Sequence, residues 1–493
     1  MVYTIDFTIS VPAHQQEKCI SPQRAAGISV EWSDCMIEFD NYMSPGRHGH
    51  LVGIGGVSMS SLAEVLRGMG LVITGSDTST GSNVQALKAK GFTVFEGHHA
   101  ANITDDIDFL VRTAAVHDDN PEIAEARRKG IPVFERSQAW GVISKDYKNA
   151  LCIAGTHGKT TTTSMCTHIL MAADRDPTVM IGGTLPLLNA GHRVGHGNTI
   201  IMESCEYYDS FLSFHPTVAV ILNVEADHLD YFKNLENVKK SFRAFAERTP
   251  ADGFVIANCE DANTMELLQG IERKVITFGL TDKADVYAEN IEFVGANSSF
   301  DVMYRGMKFT DVTLHVPGIH NVKNALAATA AAICLGIRPH AVKYGLAGFN
   351  GAGRRFEFKG KFNGADVYDD YAHHPGELKA LLDAVELLNY KRTLLVFQPH
   401  TYSRTSALFE DFVAQLRRPD RVLLAEIYAA REKNTIGISS RDLCERVEGA
   451  SFYPDFASLE TALRTEARPG DIILTVGAGD VYKLGEHLVR ETE

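Results

Sequence analysis

The sequence predicts an α/β protein of three domains in series, each built on a largely parallel sheet. The chain has 493 residues, and about 100–200 residues per domain gives roughly three domains. Short apolar strands alternate with helical segments from His50 to the end of the chain, a pattern typical of doubly wound sheets. Hydrophobic residues make up 45% and charged residues 22%, proportions of a globular chain rather than a disordered one.

Charge and composition exclude several classes of protein. The net charge of -14 argues against nucleic-acid binding and against an anionic membrane as partner, although a local lysine or helix N-terminus can still hold a phosphate. No apolar run approaches the roughly 20 residues of a membrane span, and no secretory signal is evident. The eight scattered cysteines include no C-x-x-C pair, so we expect reduced thiols in a cytoplasmic protein.

Breaks in the pattern divide the chain into four segments. Residues 1–47 lack sustained periodicity and are expected to be a weakly ordered extension, with Met36 as a second potential start. The three predicted domains span residues 48–148, 149–337 and 338–493. Within the second, residues 286–316 alternate with a period of two, which predicts a local antiparallel sheet.

A glycine-rich turn follows the first strand of the first domain. Gly53 and Gly55 precede Ser58, and Asp77 lies further on, which approximates a dinucleotide fingerprint with serine in place of the third glycine. Such a turn at a helix start suits a diphosphate. A plain tight turn explains the same residues equally well.

The strongest motif is the loop Gly155-Thr156-His157-Gly158-Lys159-Thr160-Thr161, between an apolar strand and a helix. Backbone N–H groups of such a loop face an anion, Lys159 would reach the β- and γ-phosphates, and the Thr160 hydroxyl would sit on Mg²⁺. The common phosphate-loop pattern has glycine where this chain has Ile153, so the spacing is a variant. The motif predicts a nucleoside triphosphate site.

Polar residues follow several later strands. Glu203 and Glu206 end one strand, and the run 223–230, which includes Asp227 and His228, follows the next. Ligands gather at the carboxyl ends of strands in open α/β sheets, so both groups should face the phosphate loop. Three further polar stretches, 353–356, 369–375 and 397–405, lie in the third domain. Each alone could be solvated surface, but three at successive strand ends favour a site.

Taken together, the loop 155–161, Glu203 and the run 226–230 resemble the Mur ligases, the ATP-dependent amide-forming enzymes of peptidoglycan synthesis. The stretches 52–60, 371–375, 397–405 and 476–480 extend the resemblance over all three domains. It implies a Rossmann-like UDP-binding domain, a central P-loop ATPase-type domain and a Rossmann-like C-terminal domain that closes over the site. It further implies that UDP-N-acetylmuramate and L-alanine are substrates, and that ATP with Mg²⁺ drives amide formation through an acyl phosphate.

The resemblance also implies roles for residues at the matched positions. The expected UDP-sugar contacts are Gly53, Gly55, Gly56, Ser58, Asp77 and His98. The expected ATP contacts are Gly155, Thr156, His157, Gly158, Lys159, Thr160, Thr161, Asn321, Arg354 and Arg355. The expected metal ligands are Thr160, Glu203 and His228. The expected amino-acid contacts are His374, His400, Tyr402 and Arg404. The expected catalytic group comprises Lys159, Glu203, His228, His373, His374 and Arg404.

Other functions remain open at this point. A sister ligase that attaches a whole peptide to the same UDP-sugar shares the ATP site. A non-catalytic nucleotide-binding homologue would keep the fold. An NAD-dependent oxidoreductase built on the Gly53 turn would leave Lys159, Glu203 and His228 unexplained. No protein partner can be predicted.

Overall fold

The first sheet places the Gly53 turn at its topological switch point. The computed structural model describes residues 38–113, 116–430 and 432–490. Five parallel strands run in the order β3-β2-β1-β4-β5, so the chain reverses direction across the sheet beside β1. The strands are β1 His48–Val52, β2 Val72–Asp77, β3 Thr93–Glu96, β4 Phe109–Arg112 and β5 Val133–Glu135. The helices are α1 Val57–Gly68, α2 Ser82–Ala89, α3 Pro121–Arg128 and α4 Arg136–Lys145. Ligands of such sheets bind at this point.

A short segment before β1 packs on the first sheet. Phe39–Tyr42 forms a 3-10 turn, and Phe39 is buried edge-on against Phe109 and Phe134, with ring centroids 5.2 and 5.0 Å away. Residues 1–37 of the expected extension lie outside the described residues. The described remainder, up to residue 47, contributes an aromatic side chain to the core of the first domain.

The second sheet has ten strands in the order β15-β14-β13-β12-β11-β10-β6-β9-β7-β8. The strands are β6 Asn149–Ala154, β7 Thr178–Leu185, β8 Ala190–Arg193, β9 Thr199–Glu203, β10 Val218–Ile221, β11 Phe254–Asn258, β12 Lys274–Gly279, β13 Val286–Val294, β14 Asn297–Tyr304 and β15 Met307–Leu314. The helices are α5 Lys159–Ala172, α6 Leu229–Phe232, α7 Leu235–Glu247, α8 Ala262–Leu267, α9 Ile319–Cys334 and α10 Pro339–Ala347.

The period-two segment does form antiparallel strands, but they extend the central sheet. β13 pairs parallel with β12, and β14 and β15 then add antiparallel neighbours. A separate local sheet would have left the edge of β12 open, so joining it satisfies that row of backbone groups. The alanine-rich α9 is almost entirely buried between α5 and this part of the sheet.

The third sheet has six strands in the order β16-β17-β21-β18-β19-β20, all parallel except the edge strand β16. The strands are β16 Glu357–Phe362, β17 Ala365–Asp370, β18 Thr393–Phe397, β19 Arg421–Leu424, β20 Ser451–Phe452 and β21 Ile472–Val476. The helices are α11 Pro375–Glu386, α12 Tyr402–Ala407, α13 Phe409–Leu416, α14 Ser440–Arg446, α15 Phe456–Glu466 and α16 Tyr482–Arg490. The three sheets confirm the predicted α/β class.

The contact between the first and second domains is apolar, whereas the contact between the second and third domains is mainly polar. Trp140 of α4 and Phe211, which follows β9, are fully buried in one apolar cluster that spans the first and second sheets. Among the described residues, the buried clusters of the third sheet contain no residue of the second. The third sheet instead meets the second through the polar contacts of the site. None of the helices within the described ranges is long and apolar enough to cross a membrane.

Candidate active site

The loop between β6 and α5 is shaped by glycine and anchored to the end of β10. Gly158 has φ of 85°, and a Cβ there would lie 2.6 Å from the Asn324 Oδ1 atom. Asn223 holds the loop, because its carbonyl oxygen accepts from the Thr156 N–H at 3.0 Å and its Oδ1 from the His157 N–H at 2.8 Å. Only glycine fits such a left-handed, crowded position without strain.

Lys159, the first residue of α5, forms a buried ion pair. Its Nζ lies 3.0 Å from Glu206 Oε2, and it also donates to the Thr156 carbonyl oxygen at 3.1 Å. Burial alone would lower the pKa of Lys159, but the Glu206 carboxylate outweighs burial and raises it. Lys159 is therefore positively charged and held in place where the loop meets α5.

Glu203 and Thr160 meet as the strand-end argument expected. The Thr160 hydroxyl donates to Glu203 Oε1 at 3.0 Å, and the Gly182 N–H donates to Glu203 Oε2 at 2.7 Å. His228 has a left-handed backbone, stacks on Tyr207 at 4.3 Å, and places Nε2 3.9 Å from Glu206 Oε1. Thr160 and Glu203 thus place two oxygen donors of the kind that Mg²⁺ prefers beside the phosphate loop, whereas His228 lies beside Glu206 and Tyr207.

A cavity of about 210 Å³ lies between α9 and α11, beside the phosphate loop. It is lined by apolar side chains such as Phe278 and by Asn321, whose Nδ2 donates to the Pro317 carbonyl oxygen at 2.7 Å. Burial lowers the pKa of the lining His320 to about 4, so that ring is neutral. A mostly apolar slot with a few amide groups suits a planar base.

The structure distinguishes the adjacent arginines. Arg354 has φ of 58°, donates from Nε to Asp369 Oδ2 at 2.9 Å and from Nη2 to the Gly477 carbonyl oxygen at 2.6 Å. Arg354 therefore joins the ends of β17 and β21. Arg355 lines the cavity, with its guanidinium 5.2 Å from the Tyr371 ring centroid. The geometry favours Arg355 over Arg354 as the residue that faces a phosphate.

A histidine bridges the second and third domains beside the loop. His157 Nε2 lies 3.4 Å from Glu225 Oε2, and its Nδ1 lies 3.2 Å from Glu377 Oε1 on α11. Burial opposes protonation, but the two carboxylates prevail and raise the pKa of His157 to about 9. Burial and the charge of His157 lower the pKa of the neighbouring His374, which opposes protonation of both rings at once. His157, Glu225 and His374 also lie close enough together to hold a cation.

Glu377 was not predicted as a site residue, and Glu225 was predicted only as a member of the run 223–230, without a role of its own. Glu377 occupies the third position of α11, where its carboxylate accepts from the His373 N–H at 3.0 Å and completes a capping box with His374. In the sequence this spacing indicates only a helix start. The contact with His157 joins residues 220 positions apart, so local spacing holds no signal for it.

A second cleft, of about 590 Å³, opens where the three domains meet. Its charged centre is Arg404, which donates from Nη2 to Asp227 Oδ1 at 3.0 Å. Burial would raise the pKa of Asp227, but Arg404 holds it well below its usual range. His373 and His400 line the same cleft, and burial lowers their pKa values to about 4 and about 3. Arg404 also lies 3.0 Å from His400 Nδ1.

Two expected amino-acid contacts lie away from this cleft. Tyr402, the first residue of α12, is half-buried and does not belong to the cleft lining. His374 is buried beside His157, and its Nδ1 accepts from the Gly376 N–H at 3.2 Å as the cap of α11. His374 therefore lies on the phosphate-loop side of the domain contact.

The turn after β1 is held by the acid that the fingerprint singled out. Gly53 has φ of 80°, and the Gly55 N–H donates to Asp77 Oδ2 at 2.8 Å. Gly56 directly precedes α1, and the Ser58 hydroxyl lies 3.8 Å from the sulfur of Met180 on β7. His98 is mostly buried and lies 2.9 Å from the carboxylate of the buried Glu122. Asp77 and His98 thus already have protein partners, while the turn itself borders the switch point.

Family models match all three domains of the chain. The model described as Mur ligase family, catalytic domain matches residues 48–148. The Mur ligase middle domain matches residues 153–332, and the Mur ligase, glutamate ligase domain matches residues 354–479.

Individual relatives agree over nearly their whole length. The chain is 46% identical to a curated UDP-N-acetylmuramate--L-alanine ligase of Agathobacter rectalis, covering 90% of this chain and 98% of the relative. It is 44% identical to the enzyme of the same name from Acetivibrio thermocellus, covering 91% and 96%. Among solved structures, the UDP-N-acetylmuramate-alanine ligase of Thermotoga maritima superposes with a TM-score of 0.77 at 29% identity, covering 90% and 99%. A murein peptide ligase of Psychrobacter arcticus shares the fold, with a TM-score of 0.68 at 24% identity.

Proposed function

The chain belongs to the Mur ligase family, and on this premise we propose that it joins L-alanine to UDP-N-acetylmuramate at the expense of ATP. The observation that carries the proposal is the identity of 46% over 98% of a relative with that name. The geometry supports it, because a phosphate loop and a cleft with a central arginine meet at one domain junction. In this proposal residues 48–148 bind the UDP-sugar, 149–337 bind ATP, and 338–493 bring the amino acid.

The first step transfers the γ-phosphoryl group to the muramoyl carboxylate. A carboxylate oxygen attacks the γ-phosphorus, the bond to the β–γ bridging oxygen breaks, and ADP leaves with that electron pair. Lys159 and Arg355 stabilise the charge on the transferring group. Thr160, Glu203 and His228 would hold Mg²⁺, which supplies further positive charge there when bound.

The second step forms the amide. The amine of L-alanine attacks the acyl carbon, and the tetrahedral intermediate releases inorganic phosphate. Arg404 binds the alanine carboxylate, which suits its planar fork of donors. The Nδ1–H of His373 donates to the Tyr371 carbonyl oxygen at 3.1 Å, so Nε2 of this neutral ring can accept a hydrogen bond that orients the amine. The proton that the amine loses leaves with the phosphate, which departs as hydrogen phosphate.

The proposal is tested by measuring phosphate release from ATP and Mg²⁺ with UDP-N-acetylmuramate. L-alanine is compared with other amino acids and with L-alanyl peptides. Release that requires both the sugar nucleotide and free L-alanine supports the proposal. Release only with a peptide assigns the chain to the peptide ligases, and no release with any acceptor contradicts a ligase function.

A further inference from the structure

Arg136 is a cation of the junction cleft that no step above uses. It is the first residue of α4, and it lines the cleft together with Thr113 at the end of β4 and with Cys205 and Tyr207 after β9. Arg136 therefore stands between the switch point of the first sheet, where the UDP-sugar is expected, and the metal-competent residues of the second.

Within the described part of the chain, the Arg136 guanidinium has neither a hydrogen bond nor an ion pair. Glu135, which precedes Arg136 in the sequence, forms an ion pair with Arg112, whose Nε lies 2.6 Å from Glu135 Oε1. Arg136 is half-buried, and burial lowers its pKa although Glu135 acts in the opposite direction. A cation that is withdrawn from water without a counter-ion is costly, unless a ligand supplies the anion.

The acids that line the same cleft are already engaged. Asp227 pairs with Arg404 at 3.0 Å, Asp230 accepts from the Tyr207 hydroxyl at 2.7 Å, and Glu432 accepts from the Ser403 N–H at 2.9 Å. Each of these carboxylates has a partner other than Arg136. The Arg136 guanidinium is therefore available to an anion of a molecule that enters the cleft.

We propose that Arg136 pairs with an anionic group of the sugar-nucleotide substrate, either the diphosphate or the carboxylate that becomes acylated. The assignment rests on the proposed function, since UDP-N-acetylmuramate carries both anions along one extended molecule. Both are planar or tetrahedral oxyanions that an arginine fork can bind through two donors. In this role Arg136 positions the acid substrate and does not take part in bond making.

The test is calorimetric binding to the full chain, because binding requires no turnover. Arg136→Gln removes the charge, Arg136→Lys keeps the charge without the fork, and Arg128→Gln is the matched control. Arg128 is an exposed arginine of the same domain, paired with Glu125 at 2.6 Å. Each variant is titrated with UDP-N-acetylmuramate, with UDP-N-acetylglucosamine, which lacks the carboxylate, and with ATP.

We expect Arg136→Gln to raise the Kd for UDP-N-acetylmuramate at least about tenfold. The Kd of Arg136→Lys should lie between those of wild type and Arg136→Gln, and the Kd of Arg128→Gln should equal that of wild type. An equal loss for UDP-N-acetylglucosamine identifies the diphosphate as the partner, and no loss for it identifies the carboxylate. A Kd within about twofold of wild type overturns the inference while leaving the proposed function intact. If the wild-type chain itself does not bind UDP-N-acetylmuramate, the proposed function fails instead.

A general loss of structure is recognised by loss of ATP binding in Arg136→Gln. In that case the Arg136→Lys variant is used to test the inference. A raised Kd for UDP-N-acetylmuramate with ATP affinity intact supports the inference, and an unchanged Kd overturns it.

Discussion

Lys159 and Glu206 neutralise each other inside the phosphate loop, so the phosphates of ATP have to compete with a protein carboxylate for one ammonium group. Glu206 is almost fully buried and cannot turn to water when Lys159 is shared. Replacing Lys159 with an uncharged residue therefore has two effects. A group that binds phosphate is lost, and the buried Glu206 carboxylate is left without a counter-ion.

We predict that Lys159→Ala lowers the rate of phosphate release at least about 100-fold, because one preorganised positive charge at the γ-phosphate is lost. The affinity for UDP-N-acetylmuramate should stay within about twofold, since the proposed function assigns that ligand to the first domain. Steady-state phosphate release and calorimetry measure the two quantities. A variant that turns over at the wild-type rate would contradict the role of Lys159.

Arg404→Ala is predicted to raise the KM for L-alanine while the Kd for ATP is unchanged. The arginine lines the junction cleft, whereas the cavity proposed for ATP is lined by other residues. An Arg404→Lys variant can still form an ion pair with Asp227 but lacks the planar guanidinium. Its KM for L-alanine should therefore lie between those of wild type and Arg404→Ala. An unchanged alanine KM in Arg404→Ala would show that another group binds the amino-acid carboxylate.

The adjacent arginines show where sequence reasoning stops at this scale. Arg354 and Arg355 are chemically identical, and the motif alone left both as phosphate contacts. The left-handed backbone of Arg354 turns its side chain toward Asp369, while Arg355 faces the cavity. The different contacts of the two arginines separate a structural residue from a candidate ligand, and composition or spacing does not predict them.

At the scale of elements, the segment before β1 behaves as part of the first domain. Phe39 is 2% exposed and packs on strands β4 and β5 through Phe109 and Phe134. A lone aromatic residue in a stretch without periodicity carries no sequence signal, because one anchoring side chain forms no repeating pattern.

Phe39→Ala should destabilise the first domain by about 3 kcal/mol, since it removes a fully buried aromatic ring from three-ring packing. Urea unfolding followed through the fluorescence of Trp140, which belongs to the same buried cluster, measures the change. Val294→Ala at a 71% exposed position of β13 serves as the control and should shift stability by less than about 0.5 kcal/mol. Equal stability of the two variants would mean that the segment is dispensable.

The elements themselves were predicted well where the signal is local. The strand, loop and helix around Lys159 lie within 24 residues, from Asn149 to Ala172, and their order follows from apolar runs and glycines. The antiparallel strands of 286–316 were also predicted, but their attachment to β12 was not. Attachment depends on which sheet edge is free, which is a property of the assembled sheet.

At the scale of the whole molecule, the third domain is held against the second by charged side chains. His157 bridges Glu225 and Glu377, and Asp227 pairs with Arg404 across the same boundary. Such contacts can separate with little loss of apolar burial, whereas the shared core around Trp140 and Phe211 holds the first two domains together. We therefore expect the third domain to be the one that moves during turnover.

The bridge predicts a pH-dependent closure. The pKa of His157 is raised from 6.5 to about 9 by its two carboxylates, so its contribution is complete below pH 6.5 and is lost as the pH rises through 9. Small-angle scattering should show the radius of gyration of wild type increasing between pH 7.5 and 10. His157→Gln should lack this transition, and His196→Gln, at an exposed position, should retain it. The same profile in wild type and His157→Gln would disprove the bridge as the closing contact.

Each of the three sheets is made from one uninterrupted stretch of chain, and this has a consequence for biosynthesis. All strands of the first sheet precede residue 136, so on the ribosome that sheet can close before the phosphate loop has been translated. α4 packs partly on α1, β4 and β5, but the part of its apolar side that meets Phe211 is covered only when that residue arrives some 70 residues later. During that interval part of the apolar surface of α4 stays exposed on the nascent chain, and we expect α4 to be prone to non-native contacts until the second domain has been made.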